Sequence, residues 1–311
     1  MSLHVTGGIK VPATLVAGIL AVLLVLHQFL VIPGRSGLEL ALNNALHIPL
    51  FFTITSLVWL LLAEHLRAPV TRLKVTAVVS VALALITEAV QYFTPRDATI
   101  GDVFLNLTGI TSAMLALLSL QLRSRRSLFL VSTVLATLVF LAGFSRVADF
   151  VWLYKQRREI APLIVDIDGP DKLLNASLLG DWEKVADVNW PGVKPPGIVA
   201  RFRLRSDIIF PGITINEPLP DWNSYSVLVV ETFLENDDPI PVTLRVETQR
   251  DRGINSTVES FIESGDRRLS VPISSLIPYE SGKFPLVKEL LIYSSHLSRD
   301  REFYLMDIHL E

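Results

Sequence analysis

Long stretches without a charged side chain are the feature that most constrains this fold. Residues 11–34, 40–63, 103–122 and 127–145 contain no Asp, Glu, Lys or Arg, and residues 75–93 contain only Glu88. Each stretch is close to the roughly 20 apolar residues with which a helix crosses a hydrocarbon core about 30 Å thick. A soluble protein could not cover five such helices with so few polar residues. We therefore predict five transmembrane helices, over about residues 11–32, 45–63, 75–93, 102–122 and 127–145.

Charge is distributed unequally between the two halves of the 311-residue chain. Residues 1–150 carry 10 basic and 6 acidic side chains, whereas residues 151–311 carry 18 basic and 25 acidic ones. Charged residues make up 19 % of the whole chain, below the roughly 25 % usual in soluble domains. This composition disfavours a nucleic-acid binder, a disordered protein and a wholly soluble protein. The expected order is a membrane domain (1–145), an irregular linker (146–163) and a water-soluble domain (164–311).

The positions of Lys and Arg predict the orientation in the membrane. Three basic residues lie between the second and third spans and three between the fourth and fifth, against one in each of the other two loops. Because cytoplasmic loops carry an excess of Lys and Arg, we expect a multi-pass protein of the cytoplasmic (inner) membrane. Its N-terminus would be inside and its C-terminal domain extracytoplasmic. A cleaved signal peptide is the alternative for the first span, but that apolar stretch is long for one and no small-x-small site follows it.

Six polar side chains are expected near the outer ends of the second, third and fourth spans. An ionisable group inside a span is expensive and by default indicates function. Glu88 and Gln91 share one face of the third span, and Asp102 and Asn106 share one face of the fourth. A short loop makes these two helices antiparallel neighbours. The predicted membrane binding site comprises His47, Glu88, Gln91, Arg96, Asp102 and Asn106.

Structural roles for the same residues remain open. Thr99-x-x-Asp102 has the pattern of a capping box, so Asp102 also fits the start of a helix. Glu88 and Arg96 suit a structural ion pair, and Asn106 suits a hydrogen bond between helices. These roles are compatible with a binding site that the same side chains form.

The string Glu88-x2-Gln91-x4-Arg96-x5-Asp102-x3-Asn106-x2-Gly109, preceded by His47, resembles the VanZ-like family of membrane proteins over about residues 38–122. The chain departs from the family's usual pattern in having Asn43-Asn44 for Asp-Lys, Phe51 for Tyr and Ala113 for Gly. The resemblance implies a polar site that faces the extracytoplasmic side. It also implies a link with the cell envelope and with low-level glycopeptide (teicoplanin) resistance.

Alternating apolar and polar residues from about residue 164 predict β-structure. Residues 200–205 alternate strictly, and turn signals such as 236–239 and 264–266 separate about eight short strands. No stretch of this half predicts a helix convincingly, which favours an all-β sandwich. The stretches 210–215, 219–225, 242–246, 251–252 and 305–310 resemble a galactose-binding-like jelly roll of the carbohydrate-binding-module type, over most of residues 164–311.

That second resemblance implies glycan binding, for which exposed aromatic rings are needed. The candidates are Trp182, Trp190, Trp222, Tyr225 and Tyr279, of which Trp222 and Tyr225 also suit the core of a sandwich.

A structural calcium ion is conceivable in the soluble half, and no other cofactor is expected. Asp166, Asp168 and Asp307 would supply the oxygen ligands that calcium takes, provided that the first and last strands are neighbours. The chain has no cysteine, which excludes disulfides and thiolate metal sites.

Three functions are compatible with these features. In the first, an outer-leaflet pocket binds a lipid headgroup or lipid-linked glycan, while the sandwich binds cell-wall glycan. In the second, the membrane site is an enzyme on such a lipid, with Glu88 or His47 in acid–base roles, although no activated nucleophile is evident. In the third, the helices only anchor an active sandwich. The first two predict membrane lipids and glycans, and no nucleic acid, as partners.

Overall fold

The computed structural model describes residues 2–4, 10–29, 36–91, 93, 99–167, 176–186, 198–235, 238–248, 255–265, 268–278, 282–295 and 297–311. The chain divides into two compact units. One comprises residues 1–33 and 38–150, and the other residues 34–37 and 151–311. The first unit is helical and the second is built from two β-sheets.

The first unit opens with a short antiparallel hairpin and continues as helices. The hairpin consists of β1 (Ser2–His4) and β2 (Lys10–Pro12). The helices are α1 (Ala13–Phe29), α2 (Gly37–Ala45), α3 (His47–Leu62), α4 (Pro69–Gln91), α5 (Ile100–Gln121), α6 (Arg126–Ala142) and α7 (Ser145–Ile160), the last of which continues into the second unit.

Three stretches of the described helices are long and apolar enough to cross a membrane. They are Gly37–Leu62, which joins α2 and α3, then α4 and α5. The pair α6 and α7, bent by 52°, would be a fourth. The predicted count of five spans is not confirmed, because α1 and α6 each have 17 residues. A helix of that length covers about 25 Å of a hydrocarbon core of about 30 Å.

Helix α5 makes close contact with α3. A Cβ atom added to Gly109 would lie 2.4 Å from the backbone oxygen of Ile48, so only glycine permits this approach. Small residues at such contacts are typical of helix packing in membranes. Large apolar side chains elsewhere on the helices stay exposed, as in Val78 and Leu138, which are 69 % and 57 % exposed. The surface suits a hydrocarbon solvent.

The segment expected to be an irregular linker is mostly helical. Helix α7 occupies Ser145–Ile160 and so covers most of the predicted 146–163. Its residues are charged but are good helix formers, including Lys, Gln, Arg and Glu. Lys155 and Glu159, one turn apart, form an ion pair at 3.8 Å. The lack of an apolar stripe concealed the helix.

The second unit contains eleven strands among the described residues, more than the eight predicted, and one short helix. The strands are β3 (Leu163–Asp166), β4 (Ala176–Leu179), β5 (Asp181–Ala186), β6 (Ile198–Leu204), β7 (Gly212–Asn216), β8 (Val227–Phe233), β9 (Ile240–Thr248), β10 (Asn255–Ile262), β11 (Arg268–Pro272), β12 (Val287–Tyr293) and β13 (Arg301–Leu310). The short helix, α8 (Ile273–Leu276), follows β11.

The strands form two antiparallel sheets, which confirms the predicted β-architecture. One has the order β10-β9-β12-β7-β4, and the other β11-β8-β13-β6-β5 with β3 added beside β13. Alternate residues of β9 and β13 are buried. Residues from both sheets, such as Leu244 and Leu305, join one apolar core. The period of two in the sequence therefore corresponds to one face of each sheet packed on the other.

Candidate functional site

A hydrogen-bonded polar cluster lies inside the helical unit, where α3, α4 and α5 meet. His47 Nδ1 and Asn106 Oδ1 are 2.7 Å apart, and Asn106 Nδ2 donates to Glu88 Oε1 at 2.6 Å. Because an amide oxygen can only accept, His47 Nδ1 is the donor in the contact with Asn106 Oδ1. His47 and Asn106 are fully buried, and Glu88 is 7 % exposed. Asn106 therefore joins a histidine of one helix to a carboxylate of another.

Asp102 extends the cluster and also caps α5. Thr99 Oγ1 accepts a hydrogen bond from the Asp102 backbone N–H at 3.2 Å, and Asp102 Oδ2 accepts from the Thr99 backbone N–H at 3.1 Å. This confirms the predicted capping box. The other oxygen, Oδ1, is buried, lies 4.0 Å from His47 Nε2 and accepts no hydrogen bond from the described residues. Asp102 thus both starts the helix and belongs to the cluster.

Four of the six predicted membrane-site residues come together in this cluster. They are His47, Glu88, Asp102 and Asn106. Gln91 is fully buried in α4, one turn after Glu88. Arg96 lies outside the described residues. Whether the six residues bind a ligand stays a prediction.

A cavity of about 490 Å³ lies next to the cluster in the same unit. Its walls come from α2, α5, α6 and the start of α7. Thr99 lines the cavity and donates through Oγ1 to Asp102 Oδ2 at 2.9 Å, so one hydrogen bond connects the cavity wall with the cluster.

Two polar residues of this cavity were not among the predicted site residues. Arg146 is exposed, lines the cavity and forms no ion pair with a described residue, although Asp149 lies one turn further along α7. Asn44 lines the cavity from α2. In the sequence Asn44 stood out only as a departure from the VanZ-like pattern. Arg146 was assigned to the linker, because no pattern of residues indicated that a helix brings it back to α5.

The aromatic residues predicted to bind glycan occupy different environments. Trp222 is fully buried, and its Nε1 donates to the Leu219 carbonyl at 2.5 Å, so no face of its ring is open to a sugar. Tyr225 is half-buried and packs against the core. Trp190 and Tyr279 lie outside the described residues. For Trp222 the structure supports the alternative of a core residue, which its position beside a strand also suggested.

The residues proposed for calcium are only partly described. Strands β3 and β13 pair, and Asp166 is opposite Asp307, so the neighbourhood that a shared ion would require exists. Asp307 Oδ1 lies 2.6 Å from His309 Nδ1. Asp168 lies outside the described residues. Within the described part of the chain, no three His, Asp or Glu side chains are grouped to hold a metal ion.

A hollow of about 250 Å³ on the second unit combines an aromatic ring with charged groups. Trp182, 39 % exposed, stacks on Phe202 with ring centroids 6.2 Å apart. Arg201, Arg203 and Glu302 line the same hollow. Trp182 was among the predicted candidates, whereas the alternation of residues 200–205 predicted only a strand.

A comparison with solved structures found several that align with about half of this chain. The Family 11 carbohydrate-binding module from Clostridium thermocellum is 13 % identical, and the match covers 48 % of this chain and 93 % of that one, with a TM-score of 0.33. The non-crystalline-cellulose-specific module CBM28 is 6 % identical over 49 % of this chain and 94 % of that one, with a TM-score of 0.33. An exo-β-agarase is 13 % identical over 48 % of this chain, with a TM-score of 0.36, and the match spans only 24 % of the agarase.

These TM-scores are too low for any conclusion about function. No protein-family model matches the sequence, and the search of curated proteins found no match. The resemblance to the VanZ-like family consequently stays a prediction from the residues quoted above.

Proposed function

We propose that this chain is a membrane protein of the cell envelope whose helical unit recognises the anionic headgroup of a lipid or lipid-linked glycan. The observation that carries the proposal is the buried His47–Asn106–Glu88 chain of hydrogen bonds beside a cavity of about 490 Å³. Polar groups buried among apolar helices are costly and usually mark a functional site.

The cluster and the cavity have different roles in this proposal. The cluster holds the first turn of α5 in place, because Asp102 bonds to Thr99, and Thr99 forms part of the cavity wall. Arg146 supplies a positive charge at the cavity, and Asn44 can donate and accept hydrogen bonds there. Guanidinium groups bind phosphate and carboxylate oxygens through strong, charge-assisted hydrogen bonds. An anionic headgroup is therefore the ligand that fits this wall.

The orientation and the biological role are part of the same proposal. The cavity would face the extracytoplasmic side of the inner membrane, as the distribution of Lys and Arg predicts. A role in low-level glycopeptide resistance follows from the VanZ-like resemblance alone. Single cysteines introduced into the protein and labelled in intact cells test the orientation, because the chain has no native cysteine that would also react. Labelling of the second unit only after cell lysis would overturn it.

Binding of an anionic lipid by the purified full chain tests the headgroup site. The probe is phosphatidylglycerol, with phosphatidylcholine as the neutral comparison, and the variants are Arg146→Gln and Arg158→Gln. Loss of one charge-assisted hydrogen bond, worth about 1.5 kcal/mol, should weaken phosphatidylglycerol binding about tenfold in Arg146→Gln. Arg158, also exposed on α7 but outside the cavity, is the matched control. Equal binding by the two variants would refute the site.

An intramembrane enzyme is the second candidate function for the same unit. The observation that favours it is the position of His47, with Nδ1 3.7 Å from Glu88 Oε1 and Nε2 4.0 Å from Asp102 Oδ1. An imidazole between two carboxylates suits general acid–base chemistry. Mass spectrometry of a lipid-linked wall precursor incubated with the protein distinguishes the candidates. A product that is absent with His47→Gln would establish the enzyme, and unchanged precursor would favour binding alone.

For the second unit we propose glycan binding at the hollow beside Trp182. A partly exposed ring offers an apolar face for a sugar, and Arg201, Arg203 and Glu302 offer hydrogen bonds. Titration with soluble cell-wall glycan fragments should give binding that Trp182→Ala abolishes. Phe210→Ala removes a comparably exposed ring elsewhere in the unit and should leave binding unchanged. Equal binding by both variants would exclude this hollow.

A further inference from the structure

A second hollow runs along the same helices as the headgroup cavity. It has a volume of about 360 Å³ and lies between α3, α5 and α6. We call it the α5–α6 groove and define it by Phe52, Ser112, Ala116, Ala136, Thr137 and Phe140 among its lining residues. Both hollows belong to the first unit.

The groove lies next to the cavity along α5 and α6. On α5 the cavity ends at Thr108 and the groove begins at Ser112, one turn later. On α6, Val139 lines the cavity while the adjacent Phe140 lines the groove. From Gly101 to Ser119, α5 borders the two hollows over about 27 Å at 1.5 Å per residue. The two hollows therefore lie end to end along the same two helices.

The hydroxyl groups along the groove are satisfied by the protein itself. Ser112 donates to the Ala136 carbonyl and Ser119 to the Ala116 carbonyl, at 2.8 and 2.7 Å. Thr53, Thr133 and Thr137 each donate to the carbonyl one turn earlier in their own helix, at 2.8, 2.9 and 3.1 Å. Because these donors are already used, the groove does not require water or a polar ligand. Its surface is functionally apolar despite its many Ser and Thr residues.

The cavity and the groove thus differ in polarity. The cavity end has Arg146, which forms no ion pair with a described residue, and Asn44. The groove end has the rings of Phe52 and Phe140, in edge contact at 5.7 Å, and the methyl group of Ala116. A molecule that matches both ends has an anionic head and a hydrocarbon tail.

We propose that the α5–α6 groove holds an acyl chain of the same lipid whose anionic headgroup occupies the cavity. This inference rests on the headgroup site proposed above and names its ligand class as an acylated anionic lipid. The groove selects for a chain of sufficient length, and Arg146 selects for charge. The ligand is consequently bound as a whole molecule rather than by its head alone.

Comparison of long-chain and short-chain probes tests the groove in the full-length protein. Dioleoyl-phosphatidylglycerol reaches both hollows, whereas dihexanoyl-phosphatidylglycerol offers the same head without a long tail. Ala116→Phe fills the groove and should weaken binding of the dioleoyl probe about tenfold, with dihexanoyl binding changed less than twofold. Ala82→Phe places the same ring on an exposed position of α4 and should leave both unchanged. Equal dioleoyl binding by the two variants would overturn the proposal.

A second pair of variants protects the test against misfolding. Thr137 is exposed and lines the groove, and the adjacent Leu138 is exposed and does not. Thr137→Phe should lower dioleoyl binding relative to Leu138→Phe, and no difference between them would again overturn the groove.

The two proposals fail in different ways. If Arg146→Gln leaves both probes bound normally, the headgroup site is wrong. The assignment of the groove to that lipid fails with it. If Arg146→Gln weakens both probes while Ala116→Phe weakens neither, the headgroup site stands and only the groove is refuted.

Discussion

The helical unit of this chain buries many polar side chains beside its apolar ones, whereas the β-unit buries mostly apolar ones. In the helical unit the fully buried residues include His47, Gln91 and Asn106, and large apolar residues lie on the outside. In the β-unit the interior is an apolar core, and ion pairs such as Arg203–Asp300 at 3.0 Å lie on the surface. The contrast is that of a surface in hydrocarbon and a surface in water.

This difference in buried side chains indicates which forces stabilise each unit. Burial of apolar area stabilises the sandwich, at roughly 25 cal/mol per Å². The helices gain little in this way, because a lipid tail is as apolar as a leucine. They depend instead on close backbone contact, as at Gly109, and on polar contacts between helices, as at Asn106. The polar cluster is therefore a structural element as well as a candidate site.

The same substitution made in each unit gives the largest expected contrast. Leu244→Ala leaves a void in the sandwich core, where Leu244 is fully buried, and should lower the free energy of unfolding of this unit by about 3 kcal/mol. Leu138→Ala, on the exposed surface of α6, should change the stability of the helical unit by less than about 0.5 kcal/mol. Thermal unfolding of the full chain in detergent measures both. Similar losses would contradict the assignment of α6 to a lipid-facing surface.

Removal of the central amide of the polar cluster should have the next largest effect. Asn106→Leu deprives His47 and Glu88 of a hydrogen-bond partner inside the bundle. Loss of hydrogen bonds to buried polar groups costs about 1–3 kcal/mol, so we expect a loss of about 2 kcal/mol in the helical unit.

Ser56→Ala is the control for that measurement. Its hydroxyl only donates to the Phe52 carbonyl of its own helix, at 2.8 Å, so its removal should change stability little. If Asn106→Leu is as stable as Ser56→Ala, the cluster does not hold the helices together.

The second unit also buries a carboxylate, which is an exception to its apolar interior and leads to a third prediction. Glu217 is 5 % exposed, and the Tyr154 hydroxyl donates to its Oε2 at 2.6 Å. Tyr154→Phe should lower the stability of the second unit by about 1.5 kcal/mol, the usual worth of a hydrogen bond to a charged group. Tyr293→Phe, in a half-buried tyrosine whose ring packs on Phe210, should have a smaller effect in the same unfolding experiment.

Local patterns in the sequence predicted local structure well. The capping box at Thr99 and Asp102 depends on residues three apart, and the structure confirms it. The alternation of residues 200–205 belongs to β6, again within one element. Helix α7 was missed because its charged residues have no apolar stripe, although their helix propensity was a usable signal.

Contacts between distant residues could be anticipated only in part. The membrane spans and the short loop between α4 and α5 suggested that Glu88 and Asn106 are neighbours, but not that one amide joins Glu88 to His47. The burial of Trp222 and the place of Arg146 depend on how whole elements fold back. Such information is spread over many residues and is not visible in any one motif.

The smallest expected effect concerns pH and a surface carboxylate of the sandwich. Partial burial raises the pKa of Glu231, and the neighbouring Asp307 raises it further. His309 and Arg268 oppose this shift, whereas Glu311 adds to it. A raised pKa means that the folded state prefers the protonated acid, so Glu231 reduces stability once the pH exceeds its folded-state pKa. Glu231→Gln should therefore stabilise the unit at pH 7 by about 0.5 kcal/mol, or roughly 1–2 °C. The gain should vanish as the pH falls below about 4.5, the ordinary value for glutamate. A loss of stability at pH 7 that disappears on acidification would show that Glu231 is instead stabilised as a charged partner of His309.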